Sequence, residues 1–345
     1  MDVARCLAPL LLPLLFAFPA VAAEYTEVRQ LSRIKMATVA TPDVAAFSAW
    51  YTEWLAYELR EAGAVSAAMG RSWGAPHSVG RPYVLLSPVS EPDVHIRAVQ
   101  SDAIDGYEPA TTYGWNAFEI IIDDLDAVYE RMQPSPFRII GHPRPLNAVP
   151  SIHAMQVVGP GEEILYLTTE TGDRSKSNLP IPGGLISRLF IVVLGGPNIV
   201  ELRDWYADTF RLPKNPIRAS RGQIVQRAWG NPPGGTHPIT LLRLREHGNS
   251  IELNGYIGGK GVRPKPDGQL PPGNAMVTFS VDDLDAFGLD FISPPAVLDS
   301  EAYSGRRSAT FIGPAGELTE LIEEPRGGVA DADTAHSDDP DRPTR

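Results

Sequence analysis

Apolar and polar positions alternate in short runs along most of this chain, and one order of runs returns four times. Leu31 to Thr41 (LSRIKMATVAT) alternates as a strand does. Pro42-Asp43 then opens a helix, since proline is preorganised for a first turn and an acidic side chain suits the positive end of the helix dipole. The spacing predicts a helix over 45–61, with Phe47, Trp50, Trp54 and Leu55 on one stripe. A loop rich in Gly, Ser and Ala (63–82) and strands at 83–89 and 95–100 follow. The second unit runs from a strand at 115–122 through a helix at 125–132 to strands at 137–140, 153–158 and 164–169. Residues 171–184 are polar and rich in Pro and Gly, as a linker is. The order then restarts with a strand at 185–194, an amphipathic helix at 198–210 and a hairpin at 239–245 and 250–254. A strand at 276–281, a short helix from Leu284 and a final hairpin within Arg306 to Glu324 complete it.

Three landmarks repeat at nearly one spacing: Trp50-Tyr51 with Trp205-Tyr206, Asp123-Asp124 with Asp282-Asp283, and Gly159-Pro160 with Gly313-Pro314. Self-similarity at a fixed offset marks a duplicated unit. Each unit is a strand, a helix and three strands. Such a sheet has a bare concave face, and two of them together close a half-barrel around a cavity. The expected plan is a signal segment at 1–23, domains at 27–170 and 185–325 joined by 171–184, and a disordered acidic tail at 326–345. The Pro/Gly-rich insertions 212–238 and 258–273 are expected over a cavity mouth.

Composition narrows the partners. The chain has 345 residues, 43% hydrophobic and 21% charged, with a net charge of −12 and no Lys/Arg run longer than a pair. That argues against nucleic acid, whose phosphates demand a basic face, and against anionic membrane surfaces. Arg5 followed by the apolar run Leu7 to Val21, with Val21-Ala22-Ala23 before Glu24, reads as a cleavable signal. No later run reaches the ~20 apolar residues of a membrane span, so no membrane insertion is expected after its removal. Cys6, the single cysteine, lies in the presumed signal. A mature chain without disulfides suits the bacterial periplasm or the extracellular medium.

The motifs AFEIIIDDLDAVYERM (117–132), SAWYTEWLAYEL (48–59), RDWYADTF (203–210), TFSVDDLDAFG (278–288) and GPAGELTELIEE (313–324) resemble the vicinal oxygen chelate (VOC) superfamily. That superfamily includes glyoxalase I, bleomycin-resistance proteins, extradiol dioxygenases and methylmalonyl-CoA epimerase. The resemblance runs from about residue 30 to 325. It implies an α+β protein of four βαβββ modules forming two glyoxalase/dioxygenase-like half-barrel domains. It also implies a divalent metal held by a His or Glu of a module's first strand and a Glu of its last. In the first domain those positions fall at Met36 and Ala117, and at Arg97 or Ala98 and Tyr166, a metal-free set. In the second they fall at Arg188 and Met276, and at Glu252 and Glu320. The two readings are one divalent metal (Mn, Fe, Ni or Zn) on Glu252 and Glu320, or none.

Glu252 and Glu320 in one apolar cavity would each disfavour the other's ionisation, the condition for a general base beside a carbonyl. Arg188 between them would stabilise an anion. The plain alternative is a buried Arg–Glu pair filling a lost metal site. Tyr166, Trp115, Trp229, His237 and His247 are candidates for lining the pocket. Gly70-Arg71-Ser72-Trp73-Gly74 matches a serine-hydrolase elbow in letters but lacks its strand–turn–helix setting. By resemblance, the expected function is an exported enzyme of lyase, isomerase or ring-cleavage type acting on a small oxygenated molecule through an enolate-like anion. The alternative is a non-catalytic protein that sequesters a small hydrophobic compound. A purely structural module would instead have its cavity filled by its own side chains. Domains pair within one chain or across a homodimer.

Overall fold

Four modules follow one another in the structure, a computed structural model that describes residues 29–228, 234–256 and 258–324. The first holds β1 (Ile34–Thr41), α1 (Val44–Trp54), β2 (Tyr57–Ala64), α2 (Ala67–Ser72), β3 (Pro82–Pro88) and β4 (His95–Gln100). The second holds β5 (Gly114–Ile122), α3 (Leu125–Met132), β6 (Arg138–Pro145), β7 (Ile152–Val158) and β8 (Ile164–Glu170). The third holds β9 (Ile186–Gly196), α4 (Ile199–Phe210), β10 (Arg218–Ser220), α5 (Gln223–Ala228), β11 (His237–Arg243) and β12 (Ser250–Gly255). The fourth holds β13 (Gly273–Val281), a 3₁₀ turn (Leu284–Ala286), β14 (Ala296–Val297), a second 3₁₀ turn (Glu301–Tyr303), β15 (Arg307–Ile312) and β16 (Leu318–Glu323). The presumed signal segment and the acidic tail lie outside the described residues. No helix among the described residues is long and apolar enough to cross a membrane.

The strands form two eight-stranded mixed sheets, and neither sheet coincides with a half of the sequence. One runs β14-β15-β16-β13-β1-β4-β3-β2, the other β10-β11-β12-β9-β5-β8-β7-β6. The first module therefore joins the fourth, and the second joins the third. Both joints are antiparallel pairings of first strands, β1 with β13 and β5 with β9. The expected division at 171–184 lies between β8 and β9, two strands of one sheet. The physical reason is that all four first strands are buried on both faces, so each needs a neighbour of its own kind. Every joint is made within one chain.

The repeated landmarks are joints between the sheets. The second aspartate of each Asp-Asp pair caps the adjoining turn: Asp124 accepts from the Asp126 and Ala127 amides, and Asp283 from the Asp285 amide. The tyrosine of each Trp-Tyr pair reaches the glutamate of a Gly-Pro turn. Tyr51 on α1 donates to Glu163 Oε1 at 2.9 Å, and Tyr206 on α4 donates to Glu317 Oε1 at 2.6 Å. Each carboxyl folds back over its own turn, accepting from Gly161 N in one and Ala315 N in the other, both at 2.8 Å. A Cβ on Gly159 or Gly313 would lie 1.9 or 2.0 Å from that carboxyl, so a larger residue there would push the carboxyl out of its place over the turn. Since the first and fourth modules share one sheet, each latch ties one sheet to the other. Trp115 Nε1 adds a third tie, donating to Leu318 O at 2.8 Å. Tyr51→Phe and Tyr206→Phe each remove a donor from a buried carboxyl and are expected to cost about 1–3 kcal/mol. The latches share no partner, so the double variant should sum the two in denaturant unfolding; a loss well under the sum would show one latch to be idle.

The helix predicted over 45–61 stops at Trp54. Ala56 adopts the left-handed region (φ 55°), and Tyr57 to Ala64 continue as strand β2. Tyr57 is buried and its hydroxyl donates to Ser187 O at 2.7 Å. That long-range anchor overrides the helical stripe. A continuous core between the sheets takes in Phe47, Tyr51, Trp115, Phe118, Tyr206, Phe210 and Phe279. The outer faces carry separate clusters.

Candidate functional site

The two outer faces are built on one register and filled differently. In the first sheet Thr38 pairs with Arg97 across β1–β4, and Thr278 pairs with Glu320 across β13–β16. In the second, Glu119 pairs with Tyr166 and Val193 pairs with Glu252. Met36 opposite Thr278 matches Ala117 opposite Val193, which makes the quartets Thr38/Arg97/Thr278/Glu320 and Glu119/Tyr166/Val193/Glu252 equivalent.

The first quartet is sealed. Arg97 and Glu320 are both 0% exposed, with Arg97 Nη2 3.6 Å from Glu320 Oε2. Trp73 Nε1 and the Tyr303 hydroxyl donate to Glu320 Oε1 at 3.0 and 2.9 Å, and Thr278 Oγ1 donates to Oε2 at 2.7 Å. Arg97 donates to Thr38 Oγ1 and to the Tyr303 hydroxyl and lies 4.4 Å above the Trp73 ring. Met36, Met69, Leu85, Met276 and Leu298 close the surroundings. Ser72 is buried here, 3.3 Å from Thr310 Oγ1, so the elbow-like letters carry no exposed nucleophile.

The second quartet is not sealed in this way, since Tyr166 and Glu252 are only half-buried. Glu119 is buried in the middle of β5, and its Oε2 accepts from Thr168 Oγ1 at 3.2 Å. Burial, and then the negative field of Glu252, push its carboxyl up to about 8. Burial likewise raises Glu252, which is only half-covered on the surface. A polar chain orients Glu252: Asn254 Nδ2 donates to its Oε1 at 2.8 Å, and Asn254 Oδ1 lies 2.5 Å from His237 Nε2. His237 Nδ1 in turn is 3.1 Å from Gln226 Nε2 on α5. An amide nitrogen can only donate, so Nδ1 accepts and Nε2 carries the proton. Burial lowers the His237 pKa and keeps the ring neutral in that role. Tyr166, half-buried, has its hydroxyl raised well above 10 by burial and by Glu252. A cavity of about 620 Å³ opens farther along this face; its walls include Ala110, Ile140, Val158, Ile164 and Ile224 but none of the four quartet side chains. Those side chains belong to one cluster with Ala117, Val193 and Tyr166.

The structure separates residues that their sequence pattern had grouped. Glu252 on β12 and Glu320 on β16 stand on different sheets and bond to different partners, so they form neither a shared acid–base pair nor a metal pair. Arg188 lies with neither: it bridges Glu246 (3.1 Å) and Glu91 (3.6 Å), with Asn249 beside it, where β9 meets the first module. Trp115 is core. His247 sits in an exposed turn. His237 is buried behind Asn254, and Trp229 lies outside the described residues. The first-strand positions fall at Thr38, Glu119, Val193 and Thr278, two residues beyond Met36, Ala117 and Met276 and five beyond Arg188. The insertion 212–238 supplies α5, whose Ile224 lines the cavity. The insertion 258–273 runs against the second module through Lys260 N to Thr111 O and through Arg263. Sequence reasoning missed Glu119, Thr168 and Asn254. Glu119 carried a readable signal, being the one charge in an apolar strand.

Neither quartet fits the divalent metal that the fold family implies. In the first, a guanidinium occupies the centre and the single carboxylate is already met by three neutral donors and Arg97. In the second, a hydrocarbon and a phenol stand at two of four corners, short of the three or more N/O donors such ions take. No group of three or more His, Cys, Asp or Glu able to hold an ion occurs among the described residues.

No protein-family model matches the chain, and no curated protein matches it. Solved structures do. Glyoxalase I from Zea mays superimposes with a TM-score of 0.55 at 15% identity, covering 84% of this chain and 92% of that one. A point variant of the same enzyme gives 0.56 at 15% identity, covering 87% and 95%. A candidate dioxygenase from Bacillus subtilis gives 0.55 at 11% identity over 87% of each chain. At such identities the likeness is one of fold.

Proposed function

We propose that this chain, which has the vicinal oxygen chelate fold, is an exported enzyme whose second sheet moves a proton on a small oxygenated organic molecule. The observation that carries the reading is the contrast between the faces: one is plugged by Arg97, Glu320, Trp73 and Tyr303, the other holds two desolvated carboxyls and, farther along, a cavity. Burial and mutual repulsion let Glu119 and Glu252 share one proton near neutral pH. The ionised member then serves as base and the protonated one as acid. Glu252, the more exposed and the one oriented by Asn254, takes a proton from a carbon beside a carbonyl. The C–H electron pair passes to the carbonyl oxygen as an enolate. Glu119 returns a proton to that oxygen, forming the enol, or to the neighbouring carbon, which gives isomerisation. No step is routed through a metal, because neither donor set fits one. The likeness in fold to glyoxalase I supports small-molecule chemistry of this kind. Export rests on the N-terminal apolar segment and predicts a mature chain starting near Glu24 in the periplasmic or secreted fraction.

A second reading is a binder that sequesters its ligand, favoured by the apolar walls of the cavity. Deuterium wash-in from heavy water into a panel of small ketones and 2-oxo acids separates the two. The enzyme reading expects exchange that falls about 10²–10⁴-fold in Glu252→Gln and Glu119→Gln, with ligand binding and unfolding midpoint retained. Binding by the wild type with no exchange on any compound establishes the binder instead.

A further inference from the structure

Arg144, on β6, lies in one cross-strand row with Ala154 on β7 and Thr168 on β8. Directly paired positions face the same side of a sheet. Thr168 bonds Glu119, so this row faces the second quartet. Ala154 is small enough for a long side chain to pass over, and the positive charge of Arg144 acts on the Tyr166 hydroxyl. Arg144 is half-buried, and among the described residues it makes no ion pair of its own. The same imbalance continues behind the cavity. Arg263 is buried under Tyr107, 5.6 Å from its ring, and gives its hydrogen bonds to Thr112, Asn116 and the carbonyls of Trp115, Pro272 and Asn274, all neutral. The carboxylates at the mouth are already met, Glu162 by Arg138 at 3.3 Å and Glu108 by Lys260. Burial raises both Glu119 and Glu252 and so works against their full ionisation, leaving this face little negative charge to set against two such arginines.

We propose that Arg144 is the receptor for the carboxylate of a small organic acid whose apolar body lies on Ile140, Val158, Ile164 and Ile224. The inference rests on the second sheet being the working face and adds the class of substrate. A guanidinium fork grips a carboxylate through two parallel hydrogen bonds, fixing both position and orientation. The carbon beside that carboxylate would then lie toward Tyr166 and the two glutamates.

Calorimetric titration of the mature protein with hexanoate, hexanamide and hexylamine tests this at constant chain length. Hexanoate should bind at least about tenfold more tightly than the amide or the amine. Arg144→Gln should weaken hexanoate by about tenfold or more while leaving hexanamide unchanged, and Arg144→Lys should restore part of the loss. Equal affinity for acid and amide, no binding by either, or an Arg144→Gln variant with unchanged hexanoate affinity overturns the assignment. The outcome is separable from that of the catalytic reading. Arg144-dependent acid binding without deuterium exchange on any compound would retire the chemistry and keep the receptor. Exchange on neutral ketones that is indifferent to Arg144→Gln would do the reverse.

Discussion

Glu320→Ala is expected to lower the unfolding free energy by about 3–5 kcal/mol, the cost of leaving a buried charge without its counterion. The loss has named parts. Arg97 would keep a guanidinium with no anion, and Trp73 Nε1, the Tyr303 hydroxyl and Thr278 Oγ1 would each lose an acceptor in a dry interior. Replacing both ions by apolar residues of similar size, Arg97→Met with Glu320→Leu, should recover much of that loss. A buried pair is often no better than a well-packed hydrocarbon. Guanidinium unfolding of the two variants measures the difference. A folded, fully stable Glu320→Ala protein that loses activity would return Glu320 to the catalytic machinery and show that the first face is not a plug.

Raising the pH from about 6.5 to 8.5 is expected to destabilise the folded chain by an amount on the order of several kcal/mol, at about 1.4 kcal/mol per pH unit for each group still protonated only in the folded state. Burial pushes Glu119 and Glu163 up to about 8 and Glu317 to about 7, against about 4.3 for an unfolded glutamate. A carboxyl raised on folding binds its proton more tightly in the native state. Its contribution is complete below the unfolded value and is lost as pH climbs through the folded one. The depressed carboxyls Asp93 and Glu324, which face Arg33 and Lys35, contribute above about pH 4 and are constant across this window. His95, lowered to about 4, and His237 gain stability with rising pH, but that gain is complete above the ordinary histidine value near 6.5. Glu163→Gln, which keeps an acceptor for Tyr51 and cannot ionise, should flatten the fall. A stability that is level or rising from pH 6.5 to 8.5 would mean these carboxyls are solvated and ionised.

The four modules were legible because each repeats the same alternation and the same capping and turn residues at one spacing. Their pairing was not. A first strand buried on both faces reads as an apolar run whichever neighbour it takes, so IKMATV and ISRLFIVV carry no mark of their partners. Arg97 in HIRAV, Glu119 in AFEIII and Glu320 in TELI are each one charge inside an apolar strand, and all three sit at a quartet. Glu320 and Glu252 looked like a pair only while sheets were assigned by sequence half. The first-strand position was read at Ala117, two residues short of Glu119 on the same face. The plugged sheet does match the plain alternative of a buried Arg–Glu pair in place of a metal, although the arginine is Arg97 and not Arg188. His237 is a candidate for lining the pocket by its position in the sequence; in the structure it contacts Asn254, which in turn donates to Glu252, a link no local pattern announces.

The proposed chemistry stands on one proton shared by Glu119 and Glu252 on the second sheet. Infrared titration of the protonated-carboxyl stretch, in the wild type and in Glu119→Gln, Glu252→Gln and Glu320→Gln, tests it directly. A shared proton should give a carboxylic-acid signal at neutral pH that titrates away at higher pH, is altered in both second-sheet variants and is untouched by Glu320→Gln. A signal unchanged by Glu119→Gln and Glu252→Gln, with both groups ionised at neutral pH, would contradict it.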